Sequence, residues 1–328
     1  MAGWVFMRPG RSMDRPAKDE LEQVINEQRQ RIQSLELAEA KADEKAADLA
    51  RQLHASERRI TEQRQIIRDH ALDESVRSAA DLLALFPAKF PDGNWEPADL
   101  DFEDCWFQTI DGLRLHGWYL GHEDPRAVVL FAHGNAGNLS HRAAHVRFLR
   151  DRFRVSVFVF DYRGYGRSEG VPTVDGLVRD ARAACDYLAK REGIAKDEIV
   201  LLGRSLGGAL AVRLASEDGA RGVILESTFS SLSDVAKTHF PRVLVDFVLT
   251  NDLDSASGIA KYQGPLLQGH GDADQTIPYS LGRKLFDAAN EPKTFVTLRG
   301  RDHNDPPTDE YYQALEEFLS SLASRSSS

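Results

Sequence analysis

The stretch Ile199-Val-Leu-Leu-Gly-Arg-Ser205-Leu-Gly-Gly-Ala-Leu-Ala-Val-Arg-Leu-Ala215 decides how the rest of the chain is read. A short apolar run ends at Gly203, and a helical pattern begins at Leu206. Between them, Gly203-Arg-Ser205-Leu-Gly207 has the Gly-x-Ser-x-Gly spacing of a nucleophile elbow. The glycines have a physical reason. A serine on so sharp a strand-to-helix turn has a strained backbone, and a side chain at either flanking position collides with the neighbouring strand or helix. The turn also points the first helical N–H groups at any negative charge that forms on the serine. The pentapeptide alone is weak, because Gly and Ser are common residues. The strand before it and the helix after it give it weight.

Outward from the elbow, apolar runs alternate with amphipathic segments. Strands are expected at Ala127–Ala132, Val155–Asp161, Ile199–Gly203, Gly222–Glu226, Pro265–Gly269 and Thr294–Leu298. Helices are expected near Leu139–Arg152, Val174–Arg191, Leu206–Glu217, Ser280–Ala289 and Asp309–Leu322. Two further strands, Cys105–Thr109 and Leu113–Tyr119, flank the hairpin signal Asp111-Gly112. This alternation predicts an α/β fold, a mostly parallel sheet covered by helices on both faces.

Ahead of this domain lies a different pattern. From Lys18 to Ala80 no proline or glycine occurs, and Glu, Gln, Arg, Ala and Leu dominate. With Ile25 at heptad position a, the a seam reads Ile25, Ile32, Glu39, Ala46, Leu53, Ile60 and Ile67. That is a coiled-coil signature, and branched Ile at a favours a parallel homodimer. The d seam is weaker, with Gln28, Ser56, Gln63 and His70, so a single helix packed back on the main domain stays open. The expected layout is a disordered segment over 1–17, a coiled-coil helix over 18–80, a linker over 81–100, an α/β domain over 101–322 and a disordered tail over 323–328. The turn-rich Phe90-Pro-Asp-Gly-Asn-Trp95 marks the boundary.

Composition limits the function classes. The chain has 328 residues, 42% hydrophobic, and a formal charge of −10, which argues against a general nucleic-acid binder. No apolar run is long enough to cross a bilayer, and the start of the chain does not read as a signal peptide, so a cytoplasmic protein is expected. Cys105 and Cys185 make no disulfide framework. No metal-ligand spacing or phosphate-binding loop is present, so no cofactor is expected.

A serine nucleophile needs a base, and the base needs a third group to hold its tautomer. Strand Pro265–Gly269 runs into His270-Gly-Asp272-Ala-Asp274, which offers Asp274 as the acid with Asp272 in reserve. Either aspartate alternatively caps the following helix. Strand Thr294–Leu298 leads to Gly300-Arg-Asp302-His303-Asn304, which puts His303 on the loop where a base belongs. The N–H of Leu206 supplies one oxyanion donor. The Gly-rich turn His133-Gly-Asn135-Ala136-Gly-Asn138 supplies the other, with Asn135 first and Ala136 second. His133 and His270 read as structural hydrogen-bonding residues.

Phe131-Ala-His-Gly-Asn-Ala-Gly-Asn-Leu-Ser-His-Arg142, Phe160-Asp-Tyr-Arg-Gly-Tyr-Gly-Arg-Ser-Glu-Gly170, Gly203-Arg-Ser-Leu-Gly-Gly208, His270-Gly-Asp-Ala-Asp274 and His303-Asn304 together resemble the α/β-hydrolase superfamily. They are most similar to its lid-poor branch of depalmitoylases and monoacylglycerol or lysophospholipid lipases. The resemblance implies Ser205 as nucleophile, Asp274 as acid and His303 as base, acting on a small-molecule acyl ester or thioester. An amidase or peptidase on the same residues, or a silent scaffold, are the alternatives. Asp161 and Arg163 fall in a stretch that is structural in such proteins, where a buried pair is expected. Two features depart from the branch: a coiled-coil pattern stands where a membrane anchor is common, and Asp302 stands where glycine usually precedes the base. The segment between strands Gly222–Glu226 and Pro265–Gly269 is short but apolar, with Leu232, Val235, Phe240, Val243, Leu244, Phe247, Val248 and Leu249 around the helix-breaking Pro241; part of it belongs to the core and the excess suits an acyl groove. No arginine cluster appears in the linear sequence, so an anionic substrate is not signalled.

Overall fold

A computed structural model describes residues 85–239 and 253–325. The segment before residue 85, heptad region included, the apolar residues Phe240 to Leu249 and residues 326–328 fall outside the described residues, whereas 323–325, expected in the disordered tail, end a helix. The described part belongs to one compact unit, Ile66–Ser328.

Eight strands form a single sheet: β1 (Glu103–Gln108), β2 (Arg114–Leu120), β3 (Ala127–Ala132), β4 (Val155–Phe160), β5 (Val200–Arg204), β6 (Gly222–Glu226), β7 (Leu266–Gly271) and β8 (Lys293–Leu298). Their order is β1-β2-β4-β3-β5-β6-β7-β8. β1 and β2 pair antiparallel, as do β2 and β4, while every other pairing is parallel. Seven helices of the described residues accompany them: α1 (Ala143–Phe153), α2 (Val174–Glu192), α3 (Leu206–Asp218), α4 (Leu232–His239), α5 (Ser255–Ile259), α6 (Tyr279–Ala288) and α7 (Asp309–Arg325). The elements expected from periodicity are thus present, with ends shifted by a residue or two, except that α1 begins four residues late, after a 3-10 turn over Leu139–Arg142, and α7 runs on to Arg325.

The strand sequences follow from two-sided burial. All six residues of β4, Val-Ser-Val-Phe-Val-Phe, are buried, because helices cover both faces. Val157 and Val159 point to a core shared with Val146 and Leu149 of α1 and Leu315 and Leu319 of α7. Phe158 and Phe160 point to the opposite core, built on Leu177 of α2, Leu210 of α3, Ile259 of α5 and Leu285 of α6. One residue of register slip would exchange these two sets, so the pattern fixes the pairing. Helix ends carry their own signals. Thr173 accepts the N–H of Gly176 at the start of α2, and Gly193 closes that helix at φ 67°.

One boundary differs from the sequence expectation. Residues 85–100, read as linker, are built into the domain. The N–H of Ala88 donates to the carbonyl of Gly137 and that of Phe90 to Gly166, both at 2.9 Å. Trp95 is buried against Trp118 at 6.0 Å between ring centroids. The turn residues that mark a boundary in sequence are here a strap held by backbone hydrogen bonds and aromatic packing, which turn chemistry alone does not disclose.

Candidate active site

β5 lies in the middle of the sheet, between β3 and β6, and Ser205 follows its last residue. Ser205 has φ 53° and ψ −121°, a conformation rarely taken by a residue with a side chain. Its own N–H donates to the carbonyl of Glu226 at 2.9 Å, and its carbonyl accepts from Gly208 N and Thr228 Oγ1. The turn closes so tightly that a Cβ on Gly207 would stand 1.9 Å from the carbonyl oxygen of Ala132. A Cβ on Gly203 would stand 2.3 Å from that of Gly207. The motif is required by this crossing of strand and helix.

The loops after β7 and β8 converge on Ser205. His303 is 8% exposed, and its Nε2 lies 3.2 Å from Ser205 Oγ. Its Nδ1–H donates to Asp274 Oδ2 at 2.8 Å. The other oxygen of Asp274 accepts two backbone N–H groups, from Thr276 at 2.9 Å and Ile277 at 2.7 Å. Burial raises the Asp274 carboxyl, but hydrogen bonds from His270, His303 and the Ile277 N–H outweigh it and hold the group well below the usual carboxylate range. Asp274 is therefore ionised wherever the protein is folded at ordinary pH. His270 sits behind it, fully buried, with its Nε2 2.9 Å from the carbonyl of Ile277 and 3.4 Å from Asp274 Oδ2, so that one N–H is shared between the two oxygens.

Asp272, the reserve acid, accepts the N–H of Gly300 at 2.6 Å in an exposed turn and makes no bond to His303. Neither aspartate caps α6, whose N-cap is Pro278. Asp302 does not address the imidazole with its carboxylate. Its Oδ1 accepts the backbone N–H groups of Gln275 at 2.8 Å and His303 at 2.7 Å, which hold its carboxyl below the usual range.

Leu206 and Asn135 both line the cleft beside Ser205, as does Ala136. The Asn135 side chain accepts the Phe86 N–H at 3.1 Å and the Tyr165 hydroxyl at 3.0 Å, which fixes the β3 loop. His133 is fully buried under this loop. Its Nδ1–H donates to the carbonyl of Gly134 at 2.7 Å, as expected of a structural histidine. The Asp161–Arg163 pair, however, does not form. Arg163 instead binds Asp180 Oδ1 at 2.7 Å and Asp111 Oδ2 at 2.9 Å. Asp161 turns the other way and accepts the N–H of Leu139 at 2.8 Å, between His116 and His133. Two residues apart after the end of β4, Asp161 and Arg163 face different layers, which their sequence proximity conceals.

The cleft over Ser205 has a volume of about 430 Å³. Its apolar lining comes from Leu85, Phe86, Phe229, Leu232, Val235 and Ile277. Arg142 and Arg204 line it as well. Leu85 and Phe86 were hidden by their place in the supposed linker. The two arginines form a cluster that the linear sequence does not show, because one precedes α1 and the other precedes the elbow serine. Among the described residues no group of three or more His, Cys, Asp and Glu side chains suits a metal ion, and no helix is long and apolar enough to cross a membrane.

The sheet order, the strained serine at the end of β5 and the loops after β7 and β8 define the α/β-hydrolase class, and the chain belongs to that superfamily. Residues 123–251 match the family described as Serine aminopeptidase, S33. The uncharacterized protein YfhR of Salmonella typhi is 37% identical over 235 residues, covering 66% of this chain and 80% of the relative. The α/β-hydrolase domain-containing protein WAV2 of Arabidopsis thaliana is 36% identical over 227 residues, covering 63% and 74%. Protein bem46 of Schizosaccharomyces pombe is 32% identical over 251 residues, covering 72% and 84%. Among solved structures, the Pyrococcus furiosus esterase Pf2001 superposes with a TM-score of 0.60 at 19% identity, covering 73% of this chain and 97% of that one. Est1E of Butyrivibrio proteoclasticus, bound to ferulic acid, gives 0.55 at 19% identity, covering 67% and 99%. These structural likenesses bear on the fold.

Proposed function

We propose that this hydrolase is a serine esterase or thioesterase working through Ser205, His303 and Asp274 and an acyl-enzyme. The observation that carries the reading is the unbroken chain Ser205 Oγ to His303 Nε2 at 3.2 Å and His303 Nδ1 to Asp274 Oδ2 at 2.8 Å. His303 Nε2 takes the hydroxyl proton as Ser205 Oγ attacks the carbonyl carbon. The N–H groups of Leu206 and Asn135 hold the oxyanion. Collapse breaks the bond to the leaving oxygen or sulfur, which receives the proton from His303. Water then repeats the sequence on the acyl-enzyme, giving the carboxylic acid and restoring Ser205. Asp274 stays ionised and stabilises the imidazolium formed in between. None of these steps calls for a metal or an organic cofactor.

The test is covalent labelling with a fluorophosphonate. Wild type is expected to label and to hydrolyse short p-nitrophenyl esters, with both lost in Ser205→Ala. Persistent labelling of the alanine variant would rule Ser205 out as nucleophile. An amidase is the second reading, favoured by the name of the matching family. Faster turnover of an anilide than of its matched ester would establish it.

A further inference from the structure

The two arginines in the cleft have no role in the steps above. Arg142 donates one hydrogen bond, from Nη2 to the carbonyl of Ala136 at 2.5 Å. Its Nε–H is buried without a hydrogen-bond partner among the described residues. Arg204 donates from Nη2 to the carbonyl of His303 at 2.8 Å. A guanidinium carries five N–H donors in a planar fork that matches a carboxylate or phosphate. Neither arginine has a further hydrogen bond to a described residue, and neither forms an ion pair with a carboxylate of the described residues. Asp161 acts on Arg142 only at longer range. Although the chain as a whole carries a formal charge of −10, no Asp or Glu of the described residues lines this cleft.

Glu226, buried and paired with Arg204 in the β5–β6 register, is a carboxylate of the same neighbourhood: it and both arginines act on His145, but it forms no ion pair with either arginine. Burial, and after it the charge of Arg204, lower the affinity of Arg142 for its proton. A bound anion relieves both effects.

The two sides of the cleft also differ in kind. Phe229 and Ile277 continue the core under α2 and α3, with Leu232 and Val235 packed on it, so this wall is apolar. Arg142 immediately precedes α1, whose buried residues belong to the other core. Arg204 donates to the backbone carbonyl of His303, the residue that protonates the leaving atom in the reading above, which associates the arginines with the leaving-group side.

We propose that Arg142 and Arg204 form an anion subsite, so that the substrate is an ester or thioester with an apolar acyl chain and a carboxylate or phosphate on its leaving alcohol or thiol. This rests on the serine hydrolase reading above.

Four butyrate esters of substituted phenols test it: 4-carboxylate, 4-phosphate, the neutral 4-carboxymethyl ester and the cationic 4-trimethylammonium, each rate normalised to that ester's hydroxide-catalysed hydrolysis. Wild type is expected to favour at least one anionic ester over the neutral one by about tenfold in kcat/KM, equivalent to ~1.4 kcal/mol. The cationic ester should be the poorest. The better of the two anions identifies the source. Arg142→Gln should collapse the anionic-to-neutral ratio towards one, Arg142→Lys should restore part of it, and added salt should lower it in wild type. A flat or cation-favouring profile in wild type, with neutral ester still turned over, overturns the subsite and leaves the hydrolase reading standing. So does a ratio unchanged in Arg142→Gln. Failure of every ester together with absence of fluorophosphonate labelling overturns the hydrolase reading, and the subsite with it.

Discussion

Asp302 Oδ1 accepts the backbone N–H of Gln275 at 2.8 Å and so joins the loop that carries His303 to the loop that carries Asp274. The same oxygen accepts the His303 N–H at 2.7 Å. One carboxylate oxygen therefore sets the spacing of the two loops from outside the His303–Asp274 hydrogen bond. Replacing it with alanine removes the one acceptor of both N–H groups, while asparagine keeps a carbonyl oxygen in place. Asp302→Ala is expected to lower kcat about three- to tenfold through loss of base alignment, with KM little changed, and Asp302→Asn to recover most of it. Steady-state kinetics on one ester reads this out. Equal losses in the two variants would show that charge, not the acceptor atom, matters.

The elbow glycines give a stability prediction. At Gly207 a methyl group would meet the backbone oxygen of Ala132 at 1.9 Å, and backbone cannot rotate away as a side chain can. Gly207→Ala is expected to destabilise the fold by about 1–3 kcal/mol or more, a fall in Tm of roughly 2–4 °C for each kcal/mol in a domain of this size. Thermal denaturation followed by circular dichroism measures it. An unchanged Tm would mean that the crossing of β3 and α3 is looser than these contacts imply.

How much of this was legible in advance depended on whether the signal was local. The elbow, the strands and Asp274 and His303 were readable because each is a short motif at a strand's carboxyl end, and the order along the chain carries the topology. What escaped was set by long-range packing. Leu85 and Phe86 reach the cleft only because the strap bonds to Gly137 and Gly166. Arg142 and Arg204 meet only when the β3 loop folds beside the elbow. Arg163 chose Asp180 and Asp111 over Asp161 for reasons of layer, which no local pattern encodes.

The apolar wall predicts a dependence on acyl length. Val235 and Ala236 are on α4 and line the cleft, so a larger side chain there shortens the space open to an acyl chain. Each buried methylene contributes ~0.8 kcal/mol, roughly fourfold in kcat/KM. Wild type should gain by about that factor per methylene from acetate towards longer p-nitrophenyl esters until the wall is filled. Ala236→Phe should move the optimum to shorter chains and leave acetate least affected. A parallel drop across all chain lengths would place the acyl chain elsewhere.

Asp274 yields the pH prediction, and its sign follows from the direction of the shift. Its carboxyl is held below its ordinary value, so the unfolded chain takes up the proton first as pH falls. The stabilisation is fully present above the unfolded value of about 4 and is lost as pH drops towards the folded one. Asn at this position resembles the protonated acid. The stability gap between wild type and Asp274→Asn should therefore be constant from pH 8 to 5, of order 1–3 kcal/mol, and should close below pH ~4. Urea denaturation at stepped pH gives the gap directly. Closure between pH 7 and 5 would instead assign the coupling to a histidine, His303 or His270. Activity separates from stability here. With the acceptor of the Nδ1–H gone, His303 is free to adopt the wrong tautomer, so kcat should fall by about 10³–10⁴ at neutral pH, far more than the loss of folded protein accounts for.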